Sequence, residues 1–200
     1  MEENLLNIPY WNQKNLTPPE MISRALICKK PKLVRMNLTK LLKDIQSELK
    51  QILNYLNTDG ALFSRLIYRM KKVFRHDKTL QGMQKINKCL TNVLSINLVY
   101  TINELDVCTY EENGPTKEML QWTMLSFQRL AALLNALINR CSATVPSLKN
   151  KVDTGHHWNI GIVTLGVIAR IWLLSRHLCL KSCEWYKELN EFIGKNYGYQ

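Results

Sequence analysis

From residue 38 onward, apolar side chains recur every three or four positions through most of this chain, and that period admits helices and little else. Leu38, Leu41, Leu42, Ile45, Leu49, Ile52, Leu53 and Leu56 make the first stripe, after which Asp59 and Gly60 carry helix-stop chemistry. Residues 61–78, ALFSRLIYRMKKVFRHDK, make the second. At about 100° per residue, Leu62, Phe63, Leu66, Ile67, Met70, Val73 and Phe74 share one sector, opposite Arg65, Tyr68, Arg69, Lys71, Lys72, Arg75 and His76. A third helix is expected near 78–98 on Leu80, Met83, Ile86, Leu90, Val93, Leu94 and Leu98, although a single helix over 61–98 kinked near Gly82 also fits.

The acidic segment 103–116, closing on Asn113, Gly114 and Pro115, reads as a loop. Residues 116–141 are helical by period. Pro146 and the polar run to Asp153 read as a second connection, and a last helix is expected over 156–193. No segment is convincing as a strand. The expectation is an all-α antiparallel bundle of four to five long helices over 37–200. Residues 1–36 precede it as an extended arm, interrupted by Pro9, Pro18, Pro19 and Pro31 and able to anchor through Tyr10 and Trp11.

Charge is not spread evenly along this chain of net charge +11. Residues 21–100 hold 16 Lys and Arg against Asp44, Glu48, Asp59 and Asp77, a balance of +12, which leaves −1 for all the rest. A solvated helix face normally mixes signs, so the pure basic arc of 61–78 indicates a localised surface for a polyanion. Lys and Arg there, with Lys78, suit phosphates; Tyr68 suits stacking on an unpaired base. The alternatives are a basic surface with no partner, or one lying on an anionic membrane, where insertion would expose the core.

Other functions find little support in the residues. There is no Gly-rich phosphate loop, no HExxH and no acidic cluster suited to magnesium, so neither catalytic, metal nor cofactor residues are expected. His156 and His157 are adjacent and diverge on a helix; a shared metal would need a third ligand from elsewhere. Six widely spaced cysteines without a CxxC pair read as reduced thiols of an intracellular protein rather than a disulfide framework. The N-terminus has no apolar signal region. Residues 158–180, WNIGIVTLGVIARIWLLSRHLCL, approach the composition of a membrane span, but Arg170 near the centre and Arg176 with His177 behind it favour a bundle helix, a single span remaining the alternative. Gly166 inside that helix implies a tight helix crossing, and Arg170 one turn later either snorkels or pairs with an acid.

Two stretches resemble a known family: LIYRMKKVFRHDKTLQGMQKINKCL, 66–90, and IGIVTLGVIARIWLLSRHL, 160–178. They are similar to the signature regions of the N-terminal domain of the nucleolus and neural progenitor protein, itself related to the small protein subunit particular to fungal RNase MRP. The first region matches at Tyr68, the basic stretch, Arg75 with His76, and Cys89 with Leu90. The second matches at Gly166, Arg170 and Trp172, read as core packing, and Trp11 with Asn12 also fits. The resemblance implies a helical, non-catalytic, nucleolar protein of the nucleus, partnered by RNase MRP RNA and its protein subunits, with no small-molecule substrate and no membrane. RNase MRP cuts precursor ribosomal RNA in the first internal spacer, and its catalysis belongs to RNA. Arg65, Tyr68, Arg69, Lys71, Lys72, Arg75, His76 and Lys78 are then the expected RNA contacts. A helical scaffold that binds only proteins is the alternative. The sequence stops at Gln200 without the long basic tail of animal members, which leaves open the contacts such a tail makes, nucleolar retention included.

Overall fold

The structure, a computed structural model, describes residues 32–72, 77–110, 115–155 and 157–197. They form five helices, α1 Lys32–Lys71, α2 Lys78–Leu94, α3 Leu98–Tyr110, α4 Lys117–Asp153 and α5 Trp158–Tyr197, and no strand. The chain divides into two compact units, each built from four helical pieces.

The first unit takes residues up to Leu49, Asn97–Leu130 and the chain from Ser182 onward. Its core is the stripes Leu38, Leu42, Ile45 and Leu49 of α1, Leu98, Ile102 and Leu105 of α3, Leu120, Phe127 and Leu130 of α4, and Trp185, Leu189 and Ile193 of α5. Each such side chain contributes about 1.5–3 kcal/mol when fully buried. Phe127 and Trp185 meet with ring centroids 5.8 Å apart at 52°, and Gln128 Nε2 donates to Tyr186 Oη at 3.1 Å. Gln46 of α1 donates to Asn103 of α3. Burial pushes the Asp106 carboxyl of α3 above its ordinary value, against the opposing pull of Lys43 on α1. These paired positions run in opposite order along α1 and α3, as antiparallel packing requires.

The second unit takes Lys50–Ile96 and Ala131–Lys181. Contacts again run in opposite order: Gly60 against Leu90 and Ser64 against Asn87 between α1 and α2, and Asp77 against Lys151 and Gly82 against Thr144 between the start of α2 and α4. Cys179 approaches the Ala131 carbonyl and Gly161 lies against Val152, which orders α4 and α5 likewise. All-α antiparallel packing is therefore the architecture.

Local signals fail at four places, at the first three because packing outweighs them. α1 runs through Asp59 and Gly60 without stopping. Gly60 faces α2 so closely that a Cβ would lie 2.9 Å from Leu90 Cδ2, and Asp59 is buried with the Nε of Arg170 3.3 Å from Oδ2. A glycine costs a helix about 1 kcal/mol, less than the burial it permits here. α4 likewise continues through Pro146 to Asp153. The proline removes the hydrogen bond to the Ser142 carbonyl, but both residues are exposed, so water can satisfy that carbonyl, while Thr144 and Leu148 keep the buried stripe intact. The connection to α5 lies instead at 154–157, where Gly155 takes φ 74° and ends α4.

The third failure is α3, which occupies most of the segment expected to be a loop; Leu98, Ile102 and Leu105 stand at i, i+4 and i+7 among Glu104 and Asp106 and are buried. The fourth is the expected helix over 61–78. α1 ends at Lys71, and Asp77 caps α2, its carboxylate accepting from the Thr79 N–H at 2.8 Å. At the chain start α1 begins at Lys32, inside the expected arm; residues 1–31 of that arm, with Tyr10, Trp11 and Cys28, lie outside the described residues.

Candidate nucleic-acid interface

The last turns of α1 sort their side chains sharply. Phe63, Leu66 and Met70 are buried, Met70 beneath the Thr164 hydroxyl of α5, while Arg65, Arg69, Lys71 and Lys72 are exposed and Tyr68 is 72% exposed. Leu62, expected on the apolar side, lies 43% exposed at the edge of the stripe. α2 then starts beside this arc, with Lys78 exposed in its first turn.

Between α1 and α2 opens a groove of about 490 Å³, lined by Tyr68, Lys71, Lys72, Leu80, Gln81 and Gln84. That volume suits a nucleotide-sized group. Its described lining offers an aromatic face, two ammonium groups and two amides, and no carboxylate. The carboxylate of Asp77, close by in sequence, is occupied by Lys151 and by the Thr79 N–H. Burial alone would raise the Asp77 carboxyl, but those hydrogen bonds, with the charge of Lys151, outweigh it and hold the group below its ordinary 3.8.

Of the residues picked from the sequence, the groove brings together Tyr68, Lys71 and Lys72. Arg65, Arg69 and Lys78 are exposed outside its lining, and Arg75 and His76 lie outside the described residues. Gln81 and Gln84 were not picked. Their signal is a spacing of three on the polar side of α2, between Lys78 and Lys85, but neutral amides do not stand out in a charge count.

The second set, Gly166, Arg170 and Trp172, does not form a packed core. Gly166 is exposed with open space where its Cβ would be, so the expected tight crossing is absent there. Gly161 makes the close approach instead, a Cβ at that position lying 2.7 Å from Val152. Arg170 pairs with Asp59, its side chain 65% exposed, and Trp172 is half-buried under the Arg176 guanidinium, 5.4 Å from its ring centroid.

Elsewhere, no three His, Cys, Asp or Glu side chains converge as a metal site among the described residues. Among the described residues Cys89, Cys108, Cys141, Cys179 and Cys183 form no disulfide. Burial, reinforced by Cys89, pushes the Cys141 thiol up to about 12, which leaves it inert as a nucleophile.

The family model of the nucleolus and neural progenitor protein N-terminal domain matches residues 11–190. The chain belongs to that family. No curated protein and no solved structure matches it. Within this nucleolus and neural progenitor protein family domain, the matched span includes all five described helices except the end of α5, and the whole of the basic groove. The family is nucleolar by name.

Proposed function

We propose that this chain is a non-catalytic RNA-binding subunit of RNase MRP, acting in the nucleolus in internal-spacer cleavage of precursor ribosomal RNA. The observation that carries the reading is the groove of Tyr68, Lys71, Lys72, Gln81 and Gln84, open, free of carboxylates in its described lining and flanked by Arg65, Arg69 and Lys78, in a domain of a nucleolar family. Its partners are the MRP RNA and the particle's other proteins, and it takes no small-molecule substrate.

The chemistry of the groove divides the work. Lys71 and Lys72 neutralise phosphates at its rim, and the arginines along α1 extend the track outward. Tyr68 supplies a stacking platform for an unpaired base, an interaction of about 1–3 kcal/mol. Gln81 and Gln84 offer both donors and acceptors, so they can hydrogen-bond a base edge or a 2′-hydroxyl. Reaction chemistry resides in the RNA of the particle, and the protein orders that RNA.

The test is recovery of MRP RNA by Tyr68→Ala and Lys72→Glu variants that keep the wild-type circular dichroism and melting curve. Both should recover less RNA, Tyr68→Ala by about tenfold. Wild-type recovery by both would exclude the groove.

A further inference from the structure

The outer face of α5 carries a second surface, independent of the RNA reading. Trp158, Ile162, Leu173 and Leu180 are 50–61% exposed, and Gly166 and Ala169 are exposed between them. With Arg176 they fall within about 80° of arc, directly opposite the buried stripe of Thr164, Val167, Ile168, Ile171, Ser175 and Leu178. From Ile162 through Gly166 and Ala169 to Leu173 the spacing runs four, three, four, the seam of a helix that packs against another helix. A helix apolar on both sides belongs in the interior of something larger.

Charge identifies what covers it. Arg170 and His177 flank the seam on one side and Arg176 lies on the other, and residues 154–183 contain no Asp or Glu. Arg170 is also held in place. Its Nε stands 3.3 Å from Asp59 Oδ2, an oxygen buried without a hydrogen-bond partner, while the side chain remains 65% exposed. A carboxylate buried in mid-helix is costly to keep. Its effect here is to fix an arginine beside the apolar seam.

We propose that the outer face of α5, residues 158–180, docks an amphipathic helix of a partner protein whose apolar seam is edged with carboxylates, one of them received by Arg170. A second copy of this chain would set Arg170, Arg176 and His177 against themselves. A lipid surface would draw in Arg170, which is tied to a buried carboxylate of the bundle, and a third of the most apolar window of α5 is already buried.

The experiment places a benzophenone side chain at Leu173, or at Ile162, of the full-length chain in cells, and sequences the crosslinked peptides. A synthetic peptide of the captured segment is then titrated against the purified chain. The expected segment has apolar residues three and four apart with Asp or Glu beside them. Its affinity should fall at least about tenfold for Leu173→Asp. A similar fall is expected for the double variant Asp59→Asn with Arg170→Gln, which removes both charges and leaves no orphaned carboxylate to unfold the chain. A peptide with Glu changed to Lys should recover affinity for Arg176→Glu. Capture of another copy of this chain, or of a segment without acidic flanks, overturns the proposal. So do capture of nothing from either position, indifference of affinity to the charge changes, and co-sedimentation with 3:1 phosphatidylcholine–phosphatidylserine vesicles that Leu173→Asp abolishes.

Discussion

The outward faces of α1 and α5 belong to the same four-helix unit and present opposite chemistry. The end of α1 offers Arg65, Tyr68, Arg69, Lys71 and Lys72 around a groove edged by glutamines; the middle of α5 offers Ile162, Gly166, Ala169 and Leu173 with cations only at the margins. On α1, Phe63, Leu66 and Met70 are buried while Arg65, Tyr68, Arg69 and Lys71 are exposed, so the helical wheel and the structure coincide at those positions. On α5 both faces are apolar, and the wheel cannot say which one the bundle uses. The difference teaches that excess charge marks a surface directly, whereas excess hydrophobicity marks a surface only once the intramolecular core has been subtracted.

Salt separates the two faces most strongly. If about five cations of the α1 face each meet a phosphate, raising salt from about 50 to about 200 mM weakens RNA binding about 100-fold. Peptide docking on α5, driven mainly by apolar burial, should change only a few-fold over that range, as titrations in parallel buffers will reveal. Equal slopes would erase the distinction.

Stability gives the next contrast, of a few kcal/mol. A Cβ at Gly82 would lie 2.7 Å from Thr144 Oγ1, and Thr144 is buried and donates to the Arg140 carbonyl at 2.8 Å, so it has little room to move. Gly82→Ala should cost about 1–3 kcal/mol. Gly166→Ala meets open space and should stabilise by up to about 1 kcal/mol through helix propensity. Denaturant melts of the two variants should therefore shift in opposite directions. A destabilised Gly166→Ala would mean that something already packs on the α5 face.

Smaller still is the pH response beside the groove. Because the Asp77 carboxyl is held below its ordinary 3.8 in the folded chain, its cap and its bond to Lys151 stabilise the fold above that value. That contribution is lost as pH falls through the folded value. The Asp77→Asn variant should show less acid destabilisation between pH 5 and pH 3 than the parent, roughly the range over which an ordinary carboxyl titrates. The α5 face has no acidic residue to respond in this way.

Much of the architecture is written in the apolar period. Leu38 to Leu56, Leu80 to Val93 and the stripe of α4 announce buried helix faces, and most of those residues are buried. What the sequence concealed was continuity. Asp59, Gly60 and Pro146 are local stop signals, and only the neighbours they meet in space, Arg170, Leu90 and the packed Thr144 and Leu148, make them tolerable inside helices. α3 was hidden because its apolar residues lie on both faces, Tyr100 and Val107 exposed opposite the buried Leu98, Ile102 and Leu105, so no clear helical period shows around Glu104 and Asp106. At the site, net charge exposed the lysines and arginines of α1. The glutamines of α2 complete the groove through tertiary placement, which no linear pattern encodes.

The most direct test of the central claim is recovery of MRP RNA from cells by the full chain carrying Arg69→Glu, Lys72→Glu and Arg75→Glu together. The comparison chain carries Leu173→Asp, and both are required to melt as the parent does. The account predicts RNA recovery reduced by about 100-fold in the triple variant. For Leu173→Asp it predicts direct RNA binding by the purified chain at the parental level. A folded triple variant that recovers the RNA as well as the parent would contradict it.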